Sequence, residues 1–207
     1  MTRREMLGTI LLGAMSLPVL SYTGAEARQK VTGNIKSPGE YPVPLTERIP
    51  AAPRFQNLYT GALSFFNVHT QESIRVRYLN KNGELDTHGC KLLSQFFKSP
   101  CDGKKISINT SLFLLLDAVR NKLGARERHF LLFCGYRSPA YNRLLRKRDR
   151  DVARNSYHVK GMAADIALEG VILRDIESVA KGLNIGGVGR YDKFVHLDVG
   201  PVRSWRS

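Results

Sequence analysis

Ser156-Tyr157-His158-Val159-Lys160-Gly161-Met162-Ala163-Ala164-Asp165 is the stretch that decides how the rest of this 207-residue chain is read. It places an imidazole and a carboxylate seven positions apart, with Gly161 and Ala163 between them. Small residues there let the backbone come close to whatever both side chains hold. Residues Gly161 to Ala167 read as a strand, and a third candidate ligand, His196, falls in a last strand predicted from Phe194 to Val199. Two imidazole nitrogens and one carboxylate oxygen form a ligand set suited to a single Zn2+ ion, with a fourth position left for water. An open position is what hydrolysis requires, and no organic cofactor is needed.

Upstream of this stretch, Phe130 to Phe133 is a short apolar strand that runs into Gly135-Tyr136-Arg137-Ser138-Pro139, a turn opening a basic helix near Ala140. Leu92, Leu93, Phe96 and Phe97 recur at helical spacing. Leu112, Leu115, Leu116, Val119 and Leu123 do so after Asn109-Thr110-Ser111, with Gly124 as the stop. Phe65 to Val68 and the alternating Ile74, Val76 and Tyr78 read as two strands around residues 69 to 73. Downstream, Leu173 to Leu183 reads as a helix, and Gly186-Gly187-Val188-Gly189 leads to the last strand. Strands and helices alternate irregularly with hairpins at the edges. The expectation is a single α+β domain over residues 61–207, a small antiparallel sheet flanked by helices.

The first 27 residues read as an address. Arg3-Arg4 precede an apolar stretch from Gly8 to Leu20, and Ala25-Glu26-Ala27 follows, the pattern of a cleavable export signal of the twin-arginine type. The apolar stretch falls short of the roughly 20 residues needed to span a bilayer, so no stable membrane insertion is expected after cleavage. Residues 28–60 hold Pro38, Pro42, Pro44, Pro50 and Pro53 and read as a tether. The signal carries two basic and two acidic residues, so cleavage leaves the +14 formal charge unchanged. Outside the cytoplasm such a surface points to the acidic cell wall and away from nucleic acid. Three cysteines without a C-x-x-C pair exclude a disulfide scaffold and a structural zinc site. Cys90 and Cys101 are candidates for one disulfide after export. His69, His88 and His129 lie outside the motifs and are expected at the surface or in packing roles.

The pattern S-x-H-x-x-G-x-A-x-D at 156–165, the Gly135-Tyr136-Arg137-Ser138 turn, and Gly186-Gly187-Val188-Gly189 followed by Phe194-Val195-His196-Leu197-Asp198 resemble the zinc D-Ala-D-Ala peptidase superfamily, which includes the hedgehog amino-terminal domain. Within it the exported murein endopeptidase branch is the most similar, over about Leu63 to Trp205. The resemblance implies that His158, Asp165 and His196 bind zinc, that Arg137 meets the scissile carbonyl or a substrate carboxylate, and that Ser156 hydrogen-bonds the substrate. It implies peptidoglycan peptides as substrate and the periplasm as the place of action. For Arg137 the alternative is a structural ion pair, and for Ser156 a loop cap.

The dipeptidase branch carries Glu three residues before its last histidine, where this chain has Lys193. A charged lysine cannot accept a proton. Strand alternation groups residues 192, 194, 196 and 198 on one face, which nominates Asp198 as general base and Asp192 as runner-up. The alternative for Asp198 is a carboxylate that only orients a neighbour. Three functions stay open: an endopeptidase on cross-links, a D,D-carboxypeptidase or dipeptidase on stem peptides, and a zinc-containing wall-binding module without catalysis.

Overall fold

The computed structural model describes residues 58–149 and 152–207. The signal expected over 1–27 lies outside the described residues, as does the tether expected over 28–60 apart from its last three positions.

Seven strands form one mixed sheet: β1 (Ala62–Asn67), β2 (Ser73–Arg77), β3 (Phe130–Cys134), β4 (Ala163–Leu168), β5 (Gly187–Arg190), β6 (Val195–Asp198) and β7 (Arg203–Arg206), in the order β2-β1-β3-β4-β6-β5-β7. Among the described residues four α-helices accompany it: α1 (Thr87–Phe96), α2 (Thr110–Lys122), α3 (Pro139–Arg148) and α4 (Leu173–Leu183). Their starts follow from capping chemistry. Asp86 accepts from the His88 amide, Asn109 from Ser111, and Ser138 from Tyr141, with Pro139 in the first turn of α3.

The sheet corrects the expectation of a small antiparallel one. Two of its pairings, β1 with β3 and β5 with β7, are parallel. A parallel pair needs a crossover, and that between β1 and β3 contains β2, α1 and α2. Hairpin spacing reveals antiparallel neighbours only, so a pairing of strands separated by the 62 residues from 68 to 129 escaped the pattern. β5 was expected to be a glycine-rich connection, and β7 had no apolar alternation to mark it.

β4 is the fourth strand of seven and buried along its whole length. Its alternation serves two purposes. Ala164, Ile166 and Leu168 join the apolar core with Leu63, Phe65, Phe130, Leu132, Val195 and Leu197 from the neighbouring strands and Leu93, Leu112, Leu116 and Ile176 from helices. Asp165 faces the other way. On β6 the same alternation buries Val195 and Leu197 in the core and turns His196 and Asp198 to the face that carries Asp165.

Candidate active site

Register assembles the site. Cys134 pairs with Asp165, Asp165 with His196, His196 with Gly189, and Gly189 with Trp205, a single row across five strands. His158 comes from outside the sheet, on the 3-10 turn Tyr157–Lys160 that precedes β4. That turn ends at Gly161 in the left-handed conformation (φ 65°), which an L side chain rarely adopts. Its carbonyl accepts from the Asn109 amide, and the Arg137 amide donates to the His158 carbonyl, so the turn is braced on both sides.

The three side chains converge. His158 Nε2 lies 3.1 Å from Asp165 Oδ1 and 3.1 Å from His196 Nδ1, which is itself 2.9 Å from Asp165 Oδ1. All three residues are buried. The outer nitrogen of each imidazole is already committed: His158 Nδ1 donates to the Gly135 carbonyl at 2.7 Å, and His196 Nε2 to Asp198 Oδ2 at 2.9 Å. These bonds assign the tautomers and leave lone pairs on the inner nitrogens. Three acceptors then face one another across about 3 Å, an arrangement that repels unless positive charge lies among them. The separations approach the roughly 3.3 Å between ligand atoms of a tetrahedral ion bound at about 2.0 Å. The donor set therefore fits a divalent metal of the zinc type.

For Asp165 and His158 the electrostatics favour the unprotonated forms, and for His196 in the metal-free site they favour the protonated one. Burial opposes ionisation of Asp165, but its hydrogen bonds and proximity to His158 and His196 hold the carboxyl well below the usual range. Burial pulls His158 down. On His196 burial is outweighed by the hydrogen bonds to Asp165 and Asp198, which raise it.

Arg137 lies beside the cluster, its Nη2 2.9 Å from Asp165 Oδ2 and its Nε donating to Cys134 Sγ at 3.3 Å. It retains 17% of its side-chain exposure and lines the cleft. Cys134 also places its sulfur within 4.8 Å of the ligand atoms of His158 and Asp165. Burial pushes its thiol up to about 12. Ser156 lines the cleft, and its hydroxyl accepts from the His158 amide at 3.3 Å, the geometry of a cap.

Of the two nominated bases, Asp198 shares the face of His196 as the alternation implied, and Asp192 does not. Asp198 is fully buried behind His196. Its oxygens accept from His196 Nε2, the Gly187 and Gly200 amides and both η nitrogens of Arg203. Burial works against its ionisation, but His196 and Arg203 hold its carboxyl far below the usual range, and its bond to His196 Nε2 puts it on the side of that ring away from Asp165. Asp192 is exposed in the bend before β6, where the Tyr191 amide donates to the Phe194 carbonyl. The strand begins at Val195, so the alternation that was to align residue 192 with His196 does not reach it.

The cleft over the cluster encloses about 810 Å3. Tyr157, Tyr191, Phe194 and Trp205 line it together with Arg137, Arg203 and Arg206. Tyr191 stacks on Phe194 with centroids 4.7 Å apart, and Trp205 Nε1 donates to Tyr191 Oη at 3.0 Å. Arg203 and Trp205 were missed from sequence, although their i, i+2 spacing after Gly200-Pro201 is a strand signal. The remaining histidines are used elsewhere: His129 Nδ1 pairs with Ser64 Oγ, His69 Nε2 with the Phe133 carbonyl, and His88 is exposed. All three cysteines are unpaired, so Cys90 and Cys101 are not joined.

The Peptidase_M15_2 family, described as Peptidoglycan L,D-endopeptidase MepK, matches residues 57–205. The Escherichia coli K12 protein named Peptidoglycan L,D-endopeptidase MepK is 39% identical over 168 residues, covering 79% of this chain and 91% of its own. A Haemophilus influenzae protein named Probable peptidoglycan L,D-endopeptidase MepK is 34% identical over 146 residues, covering 70% and 78%. No solved structure matches significantly. The match begins just before β1 and ends on Trp205, spanning every residue of the cluster and of the strands that carry it, and on that extent the chain belongs to the Peptidase_M15_2 family.

Proposed function

We propose that this chain hydrolyses peptide cross-links of peptidoglycan as a zinc endopeptidase, cutting a bond of the L,D type named for its relatives. The observation that carries this is the meeting of three lone pairs, from His158 Nε2, His196 Nδ1 and Asp165 Oδ1, at a cleft in a chain of this family. A zinc ion held by these residues supplies Lewis acidity toward an amide carbonyl and brings the pKa of water from about 15.7 toward 7.

The chain's own residues prepare that chemistry. Gly135 and Asp198 fix the two imidazoles, so both inner nitrogens keep their direction without further ordering. Arg137 balances Asp165 through Nη2 and Cys134 through Nε. Its Nη1 then serves the negative charge that grows on the carbonyl oxygen, or a carboxylate of the substrate. The aromatic side chains of the cleft pack along the peptide. Asp198 orients His196, and Ser156 holds the turn that carries His158.

We assign residues 1–27 to a twin-arginine signal and 28–60 to a tether, which place the enzyme in the periplasm; the support is the Arg3-Arg4 pair, the short apolar stretch and Ala25-Glu26-Ala27. Among the described residues no helix is long and apolar enough to cross a membrane. A wall-binding module without catalysis is the second reading, favoured by the absence of Asp198 and Asp192 from the reacting side.

Incubating the purified chain with cross-linked muropeptides and analysing the products by mass separates the possibilities. Cleaved dimers support the endopeptidase, loss of a terminal D-alanine alone supports a carboxypeptidase, and retention without products supports the module. His158→Ala is expected to abolish turnover and zinc content together. Full activity in a metal-free variant removes the zinc-hydrolase assignment.

A further inference from the structure

β5 carries two glycines, Gly187 and Gly189, beside the residues of β6 that hold the site. By register Gly187 lies next to Arg203 and Gly189 next to Trp205 on β7. A Cβ at position 187 would stand 2.4 Å from Asp198 Oδ2 and 2.5 Å from Arg203 Nη1; one at 189 would stand 2.3 Å from the Trp205 ring. The glycines therefore leave two lanes through which side chains of the edge strand reach past β5. In one lane the Trp205 ring comes within 5.3 Å of the His196 ring, centroid to centroid. In the other Arg203 grips Asp198, with Nη2 2.7 Å from Oδ2 and Nη1 3.1 Å from Oδ1. The guanidinium is flanked by aromatic rings, 5.0 Å from the Tyr157 centroid and 5.1 Å from that of Trp205.

We propose that Arg203 is a positioning residue for the metal centre: acting through Asp198, it sets the orientation and donor strength of His196, and hence the affinity of the site for its ion. This rests on the metal-centre assignment above. Asp198 Oδ2 is the shared atom, taking the proton of His196 Nε2 and the Nη2 hydrogen of Arg203 together. The Gly187 and Gly200 amides both bond Oδ1, so they anchor one oxygen and leave rotation of the carboxylate about that anchor to be stopped by Arg203. A two-point guanidinium contact stops it; a lysine ammonium keeps the charge without the second point. Both η nitrogens of Arg203 are committed to Asp198, which separates its role from that of Arg137, whose Nη2 meets a proposed ligand directly.

The test compares wild type, Arg203→Lys and Arg203→Gln. Zinc affinity is measured by competition with a chromogenic chelator, thermal unfolding is recorded on metal-free protein, and kcat and KM are measured separately on a cross-linked muropeptide. Arg203→Gln is expected to weaken zinc about 10–100-fold. Arg203→Lys should fall between it and wild type, with metal-free stability within a few degrees and KM within about twofold of wild type. Zinc affinity unchanged in both variants, with the loss confined to KM, overturns the proposal and makes Arg203 a substrate contact. If Arg203→Gln does not fold, Arg203→Lys alone decides by the same criterion. A wild-type chain that binds no zinc overturns the metal-centre assignment itself, whereas wild type and variants binding zinc equally overturn only the role of Arg203.

Discussion

Gly135→Ala is the perturbation whose effect can be worked furthest from the structure. A Cβ at this position would stand 2.7 Å from Phe97 Cδ1 and 2.9 Å from Phe97 Cβ and Cγ. Phe97 cannot yield: it is fully buried and set edge-on against Phe65 at 5.1 Å and Phe113 at 5.8 Å. Reaching an ordinary contact of 3.4 Å requires the turn to retreat by 3.4 minus 2.7, or 0.7 Å. The Gly135 carbonyl accepts the 2.7 Å bond from His158 Nδ1, and a retreat of that size can stretch it beyond the roughly 3.2 Å limit of a good hydrogen bond. Overpacking costs about 1–3 kcal/mol. The stiffer unfolded chain returns up to about 1 kcal/mol, since the glycine here is not in the left-handed region. Taking about 2 kcal/mol for the overpacking and about 0.5 kcal/mol for the return, the net loss of about 1.5 kcal/mol corresponds to a fall in Tm of about 3–6 °C. Zinc affinity should fall about tenfold as His158 loses its fixed direction. Calorimetry on metal-free protein and chelator competition measure the two effects. A Tm within 1 °C of wild type together with unchanged affinity refutes the chain of reasoning from Phe97 to His158.

Asp117 on α2 is fully buried and accepts from the Thr60 and Gly61 amides, Thr60 Oγ1, Tyr78 Oη and Arg120 Nη2. Asp117→Ala strands these donors and leaves Arg120 without its counter-charge, so it should cost about 3–5 kcal/mol in denaturant unfolding while folded protein keeps its zinc affinity. Chelating the metal should lower Tm, because an ion bound only to the folded state stabilises it by mass action; no shift with excess chelator would speak against a bound ion. Glu177 is buried among Lys181, Arg190 and Arg206; burial raises its pKa, but Lys181 and Arg206 prevail and bring it from the ordinary 4.5 to about 2. A lowered folded-state value adds stability above pH 4.5 that is lost as pH falls toward 2. Glu177→Gln should therefore flatten that part of the pH–Tm curve relative to wild type, and parallel curves would contradict the assignment.

That His158, Asp165 and His196 could share one centre was suggested by residue types, and their side chains do meet. His158 and Asp165 lie close together in sequence with small residues between them, and a carboxylate with two imidazoles is an uncommon enough set to suggest a metal. The helices were legible for a similar reason, since α2 and α4 repeat apolar residues at a period of 3.6 between clear stops. What escaped were relations between distant strands. The surroundings of Asp198 were among them: five donors from β5, β6, β7 and their connections meet its two oxygens. Asp192 was grouped with His196 on an alternation that ends three residues short of it, because a bend intervenes.

Residue chemistry and local periodicity by themselves offered His158 and Asp165 as candidate ligands, the turn carrying Arg137 and the mixture of helices and strands, because each depends on neighbours within a few positions. Only the tertiary structure decided that β7 lies parallel to β5, that Gly187 and Gly189 open lanes for Arg203 and Trp205, and that Asp198 stands behind His196. Those features depend on which backbone groups pair across long separations. That choice is made by burial and hydrogen bonding summed over the whole sheet, which no short window of sequence contains.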